Sequence, residues 1–150
     1  MNDKPTRALV IGGSIAGLLT ARVLSDHFDR VTIIERDILE DNDAVRAGTP
    51  QARHLHALLR KGYEIMTDLY PGLETDLREA GMREGVWGLQ TDLYTEAGWL
   101  PQFDSGLPGV SISRAKLEML VRRHTLALPN VDVMGGFTVE GLVTEDNDRR

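Results

Sequence analysis

The sequence predicts an α/β fold that opens with a strand–helix–strand unit. Residues 8–11 are an uninterrupted apolar run, as expected of a strand that is buried on both faces. A glycine-rich turn follows, and apolar side chains then recur at helical spacing, at Ile15, Leu18, Leu19 and Val23. Residues 31–34 form a second apolar run, so one β-α-β unit fits into residues 8–36.

The composition narrows the function classes. The chain has 150 residues, enough for one domain with a core, and its 23 acidic and 17 basic residues argue against nucleic-acid binding. It has no cysteine, which excludes disulfides, thiolate metal sites and thiol nucleophiles. Residues 1–7 lack the pattern of a signal peptide, and no apolar run approaches the ~18 residues of a membrane span. We therefore predict a soluble cytoplasmic chain without a membrane partner.

Two helices are predicted after the strand–helix–strand unit. Residues 37–51 are polar and are expected to form a loop. Residues 52–70 carry apolar side chains on one helical face, and a Pro-Gly pair ends them. Residues 73–80 fit a second, shorter helix, in which Glu74 and Arg78 pair at i,i+4 and which a glycine terminates.

The stretch from residue 82 to residue 110 is predicted to be irregular and rich in short strands. Seven of its residues are Gly or Pro, it contains both tryptophans, and a hairpin is expected at residues 96–98. Ser113 is the expected N-cap of a further helix that runs to about residue 128.

The last part of the sequence is predicted to return to the sheet. Residues 131–134 fit a third strand, and residues 137–144 alternate as the first strand of a meander. Residues 145–150 are polar and turn-like, so we expect the chain to be the N-terminal portion of a longer protein.

The turn after the first strand has the pattern of a dinucleotide-binding turn. Gly12, Ser14 and Gly17 occupy the positions of the three glycines in G-x-G-x-x-G. Gly12 permits the tight turn and Gly17 lets the helix pack on the strand, so that the first helical N–H groups face a pyrophosphate. Serine is small enough for the middle position and its hydroxyl is a further donor for a phosphate oxygen, while Gly13 adds backbone freedom.

Glu35 stands at the end of the second predicted strand. A carboxylate there accepts hydrogen bonds from ribose hydroxyls and disfavours a 2′-phosphate, which makes NADP a less suitable ligand. A strand–turn–helix corner without a ligand is the alternative interpretation, but the strand, glycines, helix, second strand and terminal acid occur in the expected order. The motif by itself fits NAD and FAD equally well.

Three longer stretches carry a resemblance to a known family. They are LVIGGSIAGLLTARVL with TIIERD, RAGTPQARHLHALLRKGYEIMTDLYPGL, and ISRAKLEMLVRRH followed by NVDV. These stretches resemble FAD-dependent monooxygenases of the aromatic-hydroxylase and epoxidase class, in particular the type found in actinobacterial secondary metabolism. The family's two downstream FAD motifs, an Asp-Gly and a Gly-Asp pair, do not occur in the sequence.

The resemblance implies a Rossmann-like FAD-binding domain of the three-layer ββα type, of which residues 1–150 are the N-terminal part. Residues 8–36 are its dinucleotide motif, and residues 37–110 are an insertion with helices and a β-rich segment. Residues 111–144 supply a helix, the third parallel strand and the start of the β-meander. The rest of the enzyme is expected to be absent.

The resemblance also implies the adenosine and pyrophosphate contacts. The pyrophosphate turn comprises Gly12, Gly13, Ser14, Ile15, Ala16 and Gly17. Glu35 would hold the adenosine ribose, Arg36 would lie near the adenine, and Val139 would touch the adenine through its backbone.

Three further residues are implied contacts of FAD. Arg46 would reach the pyrophosphate or the ribitol, Gln51 would lie near the flavin, and Arg114 would contact FAD from the start of its helix. No side chain is assigned a catalytic role.

The activity implied by the resemblance is that of a hydroxylase or epoxidase. Reduced FAD would react with O2 to give a flavin hydroperoxide, which would transfer oxygen to a small aromatic or alkene substrate, with NADH or NADPH as external reductant. An FAD-dependent prenyl or alkene reductase of the same fold is one alternative, and a redox-inactive nucleotide-binding fragment is another. The irregular stretch after the second strand disfavours an NAD-dependent dehydrogenase.

The histidines give weaker signals. His54 and His56 are two residues apart, which places them on nearly opposite faces of the predicted helix, so they are not expected to share a metal ion. A surface or capping role is expected for them, and the resemblance adds a position near the flavin as the alternative for one of them. His124 falls on the apolar face of its helix and is expected to be a packed histidine.

The aromatic side chains and the serines also give weak signals. Trp87, Tyr94 and Trp99 are expected to pack in a core, with a substrate pocket as the alternative. No nucleophile-elbow pattern surrounds Ser105 or Ser111, so a hydrolase triad is excluded.

Overall fold

The structure is a computed structural model that describes residues 6–54 and 58–143. Its helices and strands follow the order β1 (Arg7–Ile11), α1 (Ile15–Ser25), β2 (Arg30–Glu35), α2 (Arg60–Leu69), α3 (Leu73–Glu79), β3 (Arg83–Val86), β4 (Tyr94–Thr95), β5 (Gly98–Trp99), β6 (Pro108–Ser111), α4 (Arg114–Leu126) and β7 (Val131–Gly135). A 3-10 helix, Pro50–Arg53, precedes α2. None of the described helices is long and apolar enough to cross a membrane.

The central sheet is parallel and has the strand order β1-β2-β7. Val10 pairs with Ile33, and Ile33 pairs with Val133 on its other side. Parallel neighbours need a crossover connection, which α1 supplies between β1 and β2 and which the long segment ending in α4 supplies between β2 and β7. The predicted α/β fold with three parallel strands is confirmed.

One face of the sheet is covered by α1 and α4, and the core lies between these layers. The buried side chains shared by the sheet and the two helices are Val10, Leu18, Ala21, Val31, Ile33, Leu117, Leu120, Val121 and Val131. Val23 was predicted on the buried face of α1 but is 45% exposed. It follows Leu18 by five residues, which turns it by about 140° around the helix and away from the sheet.

The opposite face of the sheet is open in the part of the chain that the structure describes. Leu9 and Ile11 are 68% and 63% exposed, and Met134 on the far strand is also exposed. The prediction that residues 8–11 are buried on both faces is therefore wrong. Both covering helices pack on the same face, and side chains along a strand alternate between the two faces.

The helix predicted for residues 52–70 begins later than expected. Its first part is the 3-10 helix, residues 55–57 lie outside the described residues, and α2 starts at Arg60. Leu58 forms an antiparallel bridge with Val110, which holds the backbone extended just before α2. Helix α3 agrees with the prediction, since Arg78 Nη2 lies 2.8 Å from Glu74 Oε1 within it.

The β-rich segment consists of two small antiparallel pairs, β3 with β6 and β4 with β5. The predicted hairpin is confirmed, with Tyr94 paired to Trp99 across it. These two rings meet edge to face at 5.0 Å, and both side chains are 69% exposed. The expectation that Tyr94 and Trp99 pack in a core is wrong, because both are exposed and neither belongs to the buried core cluster.

The strand predicted for residues 137–144 is not formed between residues 137 and 143, and residue 144 lies outside the described residues. Gly136 N donates to Asp37 O at 3.3 Å, and Phe137 N donates to Glu35 O at 3.1 Å. These bonds, with the positive φ of 80° at Gly136, turn the chain over the end of β2. The turn-like run 145–150 also lies outside the described residues.

Candidate functional site

The turn between β1 and α1 has two glycines that other residues replace poorly, Gly12 because of its backbone conformation and Gly17 because of its lack of space. Gly12 has a φ of +99°, and a β-carbon on it would point into open space. A β-carbon on Gly17 would lie 1.8 Å from Gly12 O, which is far inside contact distance. The close approach of α1 to the turn, predicted from the motif, is therefore present.

The N-terminus of α1 is left open to an incoming anion. Ser14 is the N-cap residue, but its side chain makes no cap hydrogen bond, and the first turn of α1 contains no acidic residue. The first helical bond runs from Leu18 N to Ser14 O at 2.9 Å. The N–H groups of Ile15 and Ala16 therefore point out of the helix end, as in helices that bind phosphate.

The hydroxyl of Ser14 is used inside the protein. It donates to Glu118 Oε2 at 2.9 Å and accepts from Arg114 Nη2 at 2.9 Å. Arg114 Nη1 also donates to Glu118 Oε2, at 2.8 Å. The three side chains form a closed ring that joins the glycine turn to the first turns of α4, and in this arrangement the serine proton points to a carboxylate.

Arg46 lies directly beside the turn, as its predicted role requires. Its Nη2 donates to Glu118 Oε1 and, at 3.4 Å, to Gly13 O, and its Nη1 donates to Asp37 Oδ2 at 3.0 Å. Asp37 Oδ2 also accepts from Gly48 N at 2.8 Å, which closes the loop after β2 and returns it to the turn. The loop conformation is what carries Arg46 to this position.

Glu35 ends β2 with its carboxylate turned towards the glycine turn. Oε2 accepts from Gly13 N at 2.5 Å, and Oε1 accepts from Asp37 N at 3.0 Å. The Glu35 side chain is 8% exposed, and a β-carbon on Gly13 would lie 3.2 Å from Glu35 Cβ. Each carboxylate oxygen has two acceptor positions, so capacity for ribose hydroxyls is left after these two bonds.

The site has nearly balanced charge. Arg46 and Arg114 face the carboxylates of Glu35, Asp37 and Glu118. Burial by itself would raise the pKa of Glu118, but hydrogen bonds from Arg46 and Ser14 and the charges of both arginines bring its pKa below the ordinary value. Glu118 is thus held as a carboxylate.

The other predicted residues lie in the segments that follow β2 and β7. Arg36 is exposed beyond the end of β2, Gln51 is exposed in the 3-10 helix, and Val139 is half-buried in the segment after β7. His54 caps the end of the 3-10 helix, whereas His56 lies outside the described residues. The cofactor contacts assigned to these positions stay predictions.

His124 and Trp87 are both partly enclosed by the protein. His124 is half-buried, its Nε2 lies 2.7 Å from Asp76 Oδ2, and its ring packs 5.8 Å from that of Tyr70. Trp87 is half-buried and lines an open groove of about 530 Å³ between β3, β6 and the turn that follows β3. Among the described residues, no three His, Asp or Glu side chains are grouped as metal ligands.

The sequence reasoning missed Glu118 and Asp37. The available signal for Glu118 was its i,i+4 spacing from Arg114, the same helical pairing that was used for Glu74 and Arg78. Asp37 directly follows the β2 end and had no local pattern to mark it. Both residues act through contacts between distant segments.

Two curated proteins resemble the chain in sequence. The protein Rv3254 of Mycobacterium tuberculosis (strain ATCC 25618 / H37Rv) is 40% identical over 151 residues, which cover 95% of this chain and 30% of that protein. Cinnamate reductase of Clostridium sporogenes is 33% identical over 81 residues, 53% of this chain and 12% of that protein. The chain thus spans less than a third of the length of these relatives. No protein-family model matches the sequence.

Solved structures resemble the chain in fold. They include 2-methyl-3-hydroxypyridine-5-carboxylic acid oxygenase (TM-score 0.62, 21% identity, 89% of this chain and 32% of that chain). PqsL, a probable FAD-dependent monooxygenase from Pseudomonas aeruginosa, has a TM-score of 0.63 at 17% identity over 87% of this chain and 33% of its own. p-Nitrophenol 4-monooxygenase PnpA from Pseudomonas putida DLL-E4 has a TM-score of 0.62 at 20% identity over 97% and 35%. The fold is Rossmann-like.

Proposed function

We propose that this chain binds FAD and forms the N-terminal part of a flavin-dependent oxidoreductase, specifically a monooxygenase that acts on a small aromatic or alkene substrate. The observation that carries the proposal is the glycine turn: its helix end has no side-chain cap and no acidic residue, and Arg46 and Arg114 contact the turn at Gly13 and Ser14. Helix N–H groups and two guanidiniums are the donors that a pyrophosphate needs. The fold shared with oxygenases supports FAD over NAD.

The residues of the turn fit the diphosphate of FAD. Gly12 leaves open space where a side chain would stand, and the N–H groups of Ile15 and Ala16 would bind phosphate oxygens. Arg46 and Arg114, which contact the turn at Gly13 and Ser14, would neutralise the phosphate charge.

The adenosine half would be held at the end of β2. Glu35 would accept hydrogen bonds from the ribose hydroxyls, and its negative charge would oppose a ribose 2′-phosphate. Arg36, which is exposed next to it, would lie near the adenine. Bound FAD supplies the redox and oxygen chemistry, while the chain's own residues bind and orient it and exclude water from the phosphates.

The solved structures support the choice of reaction class. They are an oxygenase for a hydroxypyridine carboxylic acid, a p-nitrophenol 4-monooxygenase and PqsL, which has been seen in complex with 2-aminobenzoylacetate. Small aromatic compounds are therefore the first substrates to test, with O2 as co-substrate and NADH or NADPH as reductant.

A flavin-fluorescence titration tests FAD binding. We expect FAD to bind, FMN and NAD to compete poorly, and Glu35→Ala to weaken FAD binding, because that variant removes the ribose acceptor and leaves Gly13 N without its partner. Glu96→Ala, in the exposed β4–β5 turn, is the matched control and should bind normally. Equal affinity for FAD in the wild type and in Glu35→Ala would refute the assignment of this site.

Oxygen consumption then tests the reaction class. A monooxygenase consumes O2 in step with product when NADH or NADPH is the reductant. Product formed without O2 uptake would instead identify an FAD-dependent reductase. Failure of the protein to bind FAD at all would favour a redox-inactive chain.

A further inference from the structure

Glu118 is the point at which three segments of the site meet. Its side chain is almost completely buried, and it accepts hydrogen bonds from Ser14 of the glycine turn, Arg46 of the loop after β2, and Arg114 of its own helix. Its two oxygens divide this task, since Oε1 faces Arg46 and Oε2 faces Ser14 and Arg114. No motif in the sequence assigned it a role.

The two guanidiniums need such a counter-charge to stay together. Arg46 and Arg114 carry like charges and converge on one carboxylate, so without it they would repel each other in a partly buried place. Each guanidinium has five N–H donors, and Arg114 uses one for Glu118 and one for Ser14. The ring of Ser14, Arg114 and Glu118 therefore fixes the direction of Arg114, and Glu118 together with Asp37 fixes that of Arg46. Both guanidiniums keep further donors for a ligand.

The serine in the middle of the glycine motif belongs to the same arrangement. A glycine at this position could not link the turn to Glu118 and Arg114, whereas the Ser14 hydroxyl makes one bond to each. The departure from G-x-G-x-x-G thus coincides with a contact that joins the turn to α4.

We propose that Glu118 is a positioning residue for the dinucleotide pyrophosphate. Glu118 holds Arg46 and Arg114 at the glycine turn, and Ser14 completes the hydrogen-bonded ring. The inference rests on the proposed function, because the ligand it concerns is the diphosphate of FAD. Glu118 itself does not touch the ligand; it acts through the two arginines.

The direction in which Glu118→Gln changes the affinity for the diphosphate separates a positioning role from competition with the phosphate. Glu118→Gln removes a negative charge close to a dianionic ligand, so a Glu118 that merely competed with phosphate for the arginines would give tighter binding when replaced. A positioning Glu118 gives weaker binding, because the arginines lose the partner that orients them.

The experiment measures the affinities of the protein for FAD, ADP and adenosine in the wild type and in Glu118→Gln. We expect the variant to bind FAD and ADP about tenfold more weakly, as for the loss of a charged hydrogen-bond partner, and to bind adenosine, which has no phosphate, unchanged. Glu64→Gln is the matched control, because Arg60 and Glu64 form an i,i+4 pair of the same polarity on the exposed side of α2. It should leave all three affinities unchanged.

Ser14→Gly is a second variant that does not depend on Glu118→Gln being stably folded. Glycine is well tolerated as an N-cap residue, and it restores the usual motif, so motif logic predicts unchanged or better binding. The ring predicts weaker binding of ADP with unchanged adenosine. In the double variant the two losses should not add, because each breaks the same ring.

The outcomes are distinguishable. A wild type that binds neither FAD nor ADP overturns the proposed function, and the inference with it. A wild type that binds ADP, with Glu118→Gln binding it equally or more tightly, overturns the inference alone. Parallel losses for ADP and adenosine also overturn it, since they indicate general damage to the fold.

Discussion

Gly17 is the residue at which the backbone has least room. A β-carbon there would lie 1.8 Å from Gly12 O, a backbone atom that moves only with the whole turn. We expect Gly17→Ala to lower the free energy of unfolding by about 3 kcal/mol, as for severe overpacking, and to abolish FAD binding by pushing α1 off the turn. Chemical denaturation and the FAD titration measure the two effects.

Gly62 is the control for that substitution. It lies inside α2, where a β-carbon would meet Leu58 Cδ1 at 3.4 Å, an ordinary contact. Gly62→Ala should leave FAD binding unchanged and raise the free energy of unfolding by about 0.5–1 kcal/mol, because alanine favours a helix over glycine. Equal effects of the two alanines would contradict the close approach at Gly17.

Glu118 also makes the free energy of unfolding depend on pH in the acid range. Its folded pKa is lowered, so it stabilises the folded state above the unfolded-state value of about 4.3 and loses this contribution as the pH falls through the folded pKa. The charged or polar groups that face it are Ser14, Arg46, Arg114 and, by charge alone, Arg122. The difference in unfolding free energy between the wild type and Glu118→Gln should therefore shrink below about pH 4. Denaturation at several pH values measures it; a constant difference would contradict the ion pairing.

At the scale of elements, Asn130 fastens the end of α4 to the end of α1. Its Nδ2 donates to Ser25 O at 2.8 Å and to Phe28 O at 2.9 Å, and its own carbonyl accepts from Val31 N at 2.8 Å. Asn130→Ala should lower the free energy of unfolding by about 1–2 kcal/mol, since two carbonyls lose their donor. Asn130→Asp should lower it more, because carboxylate oxygens would then face these carbonyls. Thermal unfolding distinguishes the two variants. An Asn130→Asp protein that is as stable as the wild type would refute the role of the Asn130 hydrogen bonds.

The elements that the sequence predicted well are those whose pattern is local. The parallel strands, α1, α3 and α4 follow from apolar periodicity and stop signals, and Ser113 caps α4 as expected by accepting from Lys116 N at 3.3 Å. The start of α2 could not be predicted in this way, because an extended bridge between Leu58 and Val110 overrides helical periodicity. The strand predicted at residues 137–143 is absent for a similar reason, since hydrogen bonds of Gly136 and Phe137 to the end of β2 turn the chain.

At the scale of the whole molecule, the candidate site also divides into residues that a local sequence pattern marks and residues that only distant contacts bring to the site. The glycine turn and Glu35 were identified from sequence because they are neighbours of one β-α-β unit. The counter-ions Asp37 and Glu118 were not, because a carboxylate becomes part of the site only after the loop and α4 fold back onto the turn. Sequence therefore predicted the glycine turn and the carboxylate beside it, and missed the carboxylates that the loop and α4 bring to them.

The open face of the sheet gives the last prediction. Leu9 and Ile11 on β1 and Met134 on β7 are exposed, and Ile34 of β2 lies between Ile11 and Met134 in the strand register. Monomeric soluble proteins rarely expose a contiguous apolar patch of more than a few hundred Å². We expect the 150-residue chain on its own to bind a hydrophobic dye such as anilinonaphthalene sulfonate and to self-associate. The double variant Leu9→Thr, Ile11→Thr should reduce both effects and keep the strand, since threonine is β-branched. Light scattering and dye fluorescence measure this, with Trp99→Thr in the exposed hairpin as control. If only Trp99→Thr reduced dye binding, the sheet face would not be the surface that binds the dye.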